Sequence, residues 1–232
     1  MKLAQTLSLT AALTLTACVQ TAKKSDGLNQ VDDLLTHIER VYVECELSDA
    51  RVNEAMETLA WLTSPGFDGD PLEVHAQLAL AAERAQLQAE ELEGCIAPMK
   101  ASGEALFQRW GADLEQFRSA SMRARSAERL EQTRARYDAI VANVEPAFER
   151  MEALNAILAD SVLFLANDLN AESIGALRGD VDEMLASARQ LSGELESALA
   201  AADVYMRSAA LPEGLGAPSQ AGQAPVGPAP GA

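Results

Sequence analysis

YDAIVANVEPAFERMEALNAILADSVLFL, residues 137–165, carries an apolar residue at every seventh position: Tyr137, Val144, Met151, Leu158 and Leu165. A companion row, Val141, Phe148, Asn155, Val162 and Leu169, follows four residues behind. Steps of three and four return side chains to one face of a 3.6-residue helix, whereas a strand would alternate at two. The two rows therefore predict one long helix with an apolar seam that must be buried against other helices. Asn155, the polar member, is expected to fix register or meet a polar group, with a partly exposed seam as the alternative. Pro146 predicts a modest kink, because it lacks an amide hydrogen for the helix ladder.

The spacing recurs on both sides of this stretch. Leu28, Val31, Leu35, Ile38, Tyr42, Cys45, Asp49, Val52, Met56 and Leu59 outline a first helix, with Asp49 out of character for a buried seam. It should end near Leu62, before TSPGFDGDP, where Asp70 and Pro71 supply a cap and first turn for the next helix. Leu78, Ala81, Ala85, Gln88, Leu92, Cys95, Met99, Ser102 and Leu106 form a second, weaker seam. Pro98 is expected to bend or interrupt that helix, Gly94, Gly103 and Gly111 argue against one straight rod, and its end falls between Trp110 and Ser121. After NDLNAES, with Asn170 as candidate cap, Ile174, Leu177, Val181, Met184, Ala188, Leu191, Leu195, Ala198, Ala202 and Tyr205 define a fourth helix. The expected fold is all-α: an elongated antiparallel helical bundle, coiled-coil-like, of three to four long helices, roughly 50 to 70 Å long at 1.5 Å per residue. A coiled-coil oligomer is the competing way to bury the same stripes.

Composition agrees with helices. Of 232 residues 48% are hydrophobic but only 4% aromatic, and Gly and Pro concentrate beyond Leu211. The stretch 211–232, LPEGLGAPSQAGQAPVGPAPGA, has five Pro, five Gly and one charge, and is expected to be a disordered tail. The formal charge of −17 makes nucleic acid a poor partner unless a basic patch is locally exposed.

At the other end, LTLTACVQ, residues 13–20, follows the apolar and small run LAQTLSLTAALTLTA and the single charge Lys2. The run is too short for a stable transmembrane helix and suits an export signal. Leu15, Thr16, Ala17 and Cys18 resemble the lipobox of bacterial lipoproteins, in which the thiol takes diacylglycerol and the cysteine becomes the new first residue. Several acyl chains would give durable anchoring, since one holds only marginally. The alternatives are a soluble exported protein or a short buried segment. On the lipoprotein reading residues 1–17 are a signal peptide, 18–27 are the lipidated cysteine and a polar tether, and 28–210 are the helical domain. By resemblance to enterobacterial sorting rules, Val19 rather than Asp after the cysteine implies the outer membrane, facing the periplasm, in a cell that has one. The expected partners are the membrane, through that anchor, and envelope proteins or a second copy.

Removing Cys18 leaves Cys45 and Cys95, both on predicted seams. In an oxidising compartment an intramolecular disulfide is the first expectation, followed by buried free thiols and then an intermolecular bridge. Straight helices would set the two about 10 Å out of register, so a bridge needs an offset or a bend. His37 and His75 stand without ligand clusters, and no HExxH, CxxC, phosphate loop or serine elbow occurs. No catalytic residue, metal, cofactor or small-molecule substrate is therefore predicted, and no enzyme.

The sharpest local anomaly is basic. Arg118, Arg123, Arg125, Arg129, Arg134 and Arg136 sit in nineteen residues whose only acids are Glu128 and Glu131. On a continuous helix Arg118, Arg125, Arg129 and Arg136 share one face. The favoured expectation is pairing with acids of neighbouring helices; the alternative is a binding face for an acidic partner, an anionic lipid or a cell-wall polymer.

Finally, FDGDPLE at 67–73, ALFQRWGADLEQFRSASMR at 105–123, SAERLEQTRARYDAIV at 126–141 and DSVLFLANDLNAESIGALRGDV at 160–181 resemble the bacterial family DUF2959, over about residues 30–208. The resemblance implies a helical, often lipid-anchored or exported protein, and brings no substrate or reaction. Where the family carries a basic pair in a run such as LKHNLNA, this chain has Leu165, Ala166, Asn167, Asp168, Leu169, Asn170 and Ala171. Retention of LNA before a new helix fits a turn requirement.

Overall fold

The computed structural model describes residues 26–209. The expected signal segment 1–17 with Leu15, Thr16 and Ala17, the modified Cys18, the tether up to residue 25 and the tail 211–232 lie outside the described residues.

The described chain is an all-α bundle of five helices, four of them long: α1 (Asp26–Leu62), α2 (Pro71–Leu114), α3 (Ala120–Asn167), the short α4 (Ala171–Ala176) and α5 (Arg178–Ala209). At 1.5 Å per residue the long helices span about 55, 66, 72 and 48 Å in chain order. Their boundaries have local causes. Asp70 accepts a hydrogen bond from the Leu72 amide (2.9 Å), and Pro71 occupies the first turn, where a missing amide hydrogen costs nothing. Ser119 caps α3 by accepting from the Met122 amide. Asn170 accepts from the amides of Glu172 and Ser173 (2.9 and 3.0 Å), which gives LNA the turn role expected for it. The predicted fourth helix is divided at Leu177 into α4 and α5.

Contacts between helices fix their directions. Glu54 meets Arg84 and Glu44 meets Gln88, so α1 and α2 are antiparallel. Asn155 meets Ala85 and His75 meets Val162 across α2 and α3; Arg150 meets Glu194 across α3 and α5; Asp49 meets Ser192 across α1 and α5. Each long helix thus packs on two neighbours around one core, while the diagonal pair α1 and α3 barely meet. At one end, Arg178 Nε donates to the Thr63 carbonyl (2.8 Å), satisfying a backbone acceptor just past the end of α1. At the other end lie the start of α1, the α2–α3 connection and the end of α5.

The core corrects the predicted seams by one residue in places. Leu34, Val41, Ser48, Ala55 and Leu62 are buried in α1, whereas the expected Leu35, Tyr42 and Asp49 flank them half-buried. Asp49, beside the seam rather than in it, accepts from Ser192 Oγ at 2.5 Å. In α2 the buried positions are Ala89 and Gly103 in place of Gln88 and Ser102. In α3 the heptad row from Tyr137 to Leu165 is buried throughout, together with Ile140, Ala147, Leu154 and Ser161, while of the expected companion row only Asn155 is buried. Asn155 is buried and donates to the Ala85 carbonyl at 3.1 Å, tying α3 to α2. Pro98 and Pro146 both sit inside uninterrupted helices, so the expected break in α2 does not occur.

Candidate interaction surface

Cys45 and Cys95 are both buried and lie near each other as free thiols in the structure. Burial, with Glu44 and Cys95 nearby, pushes the Cys45 thiol up to about 12; burial also raises Cys95. A thiol held protonated by burial is a poor nucleophile and packs as a small apolar side chain.

The arginine segment is divided by the fold. Arg118 stands ahead of the Ser119 cap, outside α3, so it is not on the helical face expected for it. Arg123 donates to the Phe117 carbonyl (3.3 Å), and the Arg134 guanidinium lies 5.2 Å from the Phe107 ring centre, a cation–π contact. Arg125 and Arg129 are exposed, Arg136 is half-buried, and none of these three, nor Arg118, forms an ion pair among the described residues. The favoured expectation of pairing with neighbouring acids is therefore corrected.

Helix lengths give the physical reason. Arg129, Arg136 and Arg150 lie on one line of α3 at multiples of seven. Arg150 meets α5, forming a two-pronged pair with Glu194 at 2.9 Å on each prong. That pair holds the Glu194 carboxyl below the ordinary glutamate range. Arg136 lines a groove with Ala200, Ala201 and Val204 in the last turns of α5 and lies near Tyr205. Matching Arg150 with Glu194 brings the last described residue of α5, Ala209, level with about residue 135 of α3, so the first fifteen residues of α3 extend roughly 22 Å further. Among the described residues the side of α3 that α5 covers elsewhere is open there, and Met122, Arg125 and Arg129 line it, with Met122 49% exposed and Arg136 at its base against α5.

A cluster at the base of this overhang fixes it to α2. Tyr137 packs edge-on to Phe107 with ring centres 5.3 Å apart, and Trp110 Nε1 donates to Ser126 Oγ at 2.9 Å. Elsewhere a groove of about 560 Å³ between α2 and α3 is lined by Ala79, Ala82, Ala156 and Ala159, with Leu87 and Leu163 at its edges. A second, of about 640 Å³, is lined by acids around Lys100, which pairs with Glu145. No group of three or more metal-ligating side chains occurs among the described residues. No described helix is long and apolar enough to cross a membrane.

Fold and surface together define an extended all-α bundle with a basic overhang at the end where its described chain begins and ends. The family model described as a protein of unknown function (DUF2959) matches residues 20–209, and the chain belongs to that family. No curated protein and no solved structure matches it.

Proposed function

We propose that the protein is a lipid-anchored component of the bacterial cell envelope, held by acylated Cys18 and acting as a non-enzymatic spacer or assembly part. In a cell with an outer membrane it faces the periplasm from that membrane. The observation that carries the reading is the common end: α1 begins beside the α2–α3 connection and the end of α5, so a tether from Cys18 enters the bundle at one extremity. Seven residues separate Cys18 from Asp26, a reach of up to about 25 Å. The far turns at 63–70 and 168–177 would then stand tens of ångströms from the bilayer. An elongated bundle whose described residues hold no metal-ligating cluster suits spacing or assembly better than turnover.

Membrane fractionation of cells producing the full chain or Cys18→Ala tests this. After a high-salt wash, which strips electrostatic contacts, the parent should still sediment with membranes and the variant should appear as soluble or unprocessed protein. Processed Cys18→Ala protein that stays membrane-bound through the salt wash would sink the proposal.

A further inference from the structure

We propose that the uncovered side of the α3 overhang docks on an anionic phospholipid surface, through Arg125, Arg129 and Arg136 with Met122 between the cations and Arg118 ahead of the helix. Three independent features select this partner. The first is electrostatic. Residues 108–136 hold seven arginines against Asp113, Glu115, Glu128 and Glu131, a net +3, whereas the rest of the chain carries −20. The opposite end is acidic, with a net −5 over residues 160–183. Charge is thus unevenly distributed along the length: acids such as Glu104 and Asp138 begin at the base of the overhang, while the acidic far end lies well beyond the Debye length of about 8 Å at physiological salt. An anionic surface would attract the overhang and repel the rest.

The second feature is the open valence of the arginines. Arg118, Arg125, Arg129 and Arg136 make no ion pair among the described residues, and the described part of α5 stops short of Arg125 and Arg129. Guanidinium groups match phosphate oxygens two prongs at a time. The third is shape and polarity. The stripe runs about 21 Å from Met122 to Arg136 and exposes an apolar methionine among cations, as interfacial helices do. Its projecting part, from Met122 to Arg129, stands clear of the described part of α5 and suits a planar headgroup layer. The inference shares with the proposed function the assumption that this end faces a membrane.

The test is made without the lipid anchor, so that the two fail separately. The chain from residue 19 onward keeps all five helices. It is sedimented with vesicles of phosphatidylcholine alone, or of an equal mixture of phosphatidylcholine and phosphatidylglycerol. Binding is expected only to the mixed vesicles and should weaken as salt is raised. Arg125→Gln with Arg129→Gln should weaken it about 30-fold, from the attraction of each arginine near the surface. The matching Lys pair at the same positions should retain most of it. Arg40→Gln with Arg189→Gln, an equal charge change elsewhere, should bind as the parent does. Equal binding to neutral vesicles, or equal loss in the two Gln pairs, would overturn the proposal. So would capture by an anionic polysaccharide or an acidic protein with no capture by mixed vesicles.

Discussion

Tyr137 of α3 fills the space that a side chain at Gly103 of α2 would need: a Cβ at position 103 would lie 2.5 Å from its Cζ and 2.8 Å from its hydroxyl oxygen. The close approach seats Tyr137 against Phe107 at the base of the overhang. In the sequence Gly103 counts as a weak point in α2; in the fold it is the contact that lets two helices meet there.

Gly103→Ala and Gly94→Ala should therefore act in opposite directions, although both lie inside α2. Alanine is the better helix former by about 1 kcal/mol. At Gly94, where nothing lies within 4 Å of the added carbon, that gain should appear as a higher urea midpoint. At Gly103 overpacking of about 1–3 kcal/mol should exceed it and lower the midpoint. Equal shifts in the two variants would refute the contact.

Cys45 and Cys95 should be protected in the native protein. With its thiol pushed up to about 12, Cys45 is thiolate in roughly one molecule in ten thousand at pH 8. Iodoacetamide should label both cysteines readily in denaturant and Cys45 extremely slowly without it, as read by peptide mass. A bridged peptide, or equal rates in the two conditions, would contradict the buried-thiol assignment.

Alkali should destabilise the bundle before any group in its core ionises. Burial raises Cys45, Tyr137 and Tyr205 to about 12, from ordinary values of 9.0 for the thiol and 10.0 for the phenols. Their stabilisation is fully present below those ordinary values and is lost as pH rises towards 12, because the unfolded chain releases the protons first. Each group contributes a slope of about 1.4 kcal/mol per pH unit in that window. Cys45→Ala should shed one such slope, beginning near pH 9, when urea midpoints are compared across pH. An unchanged slope would place Cys45 outside the linkage.

Arg150 and Glu194 supply the opposite dependence. Hydrogen bonding to Arg150 holds the Glu194 carboxyl below its ordinary value of 4.5, so its contribution is present above that value and lost as pH falls through the folded one. A double-mutant cycle with Arg150→Gln and Glu194→Gln should give a coupling of about 1 kcal/mol at neutral pH, fading in acid. No coupling at neutral pH would mean that the two-pronged contact contributes nothing to joining α3 and α5.

Much of this fold was legible because helix ends carry local chemistry. Asp70 with Pro71 and Asn170 announce their turns, and the row from Tyr137 to Leu165 announces its buried face. What periodicity left ambiguous was the choice between adjacent rows, since a stripe wide enough to touch two neighbours offers two nearly equivalent centres. Asp49 held the missing hint: a carboxylate on an otherwise apolar row marks a flank, where Ser192 reaches it. The arginine face was visible as residues, but its pairing was not. Pairing depends on where α5 stops relative to α3, a difference between two helix lengths and their register that no local motif encodes. The two cysteines likewise show their burial in the sequence, but their nearness to each other only in the assembled α1–α2 pair.

What Cys18 becomes decides whether the bundle is held at a membrane. Mass spectrometry of the N-terminal peptide, from protein isolated from bacterial envelopes, measures this directly. The prediction is a peptide that begins at Cys18 and carries diacylglycerol and an amide-linked acyl chain, with Leu15, Thr16 and Ala17 removed. A peptide retaining Met1, or one with an unmodified Cys18 thiol, would contradict it.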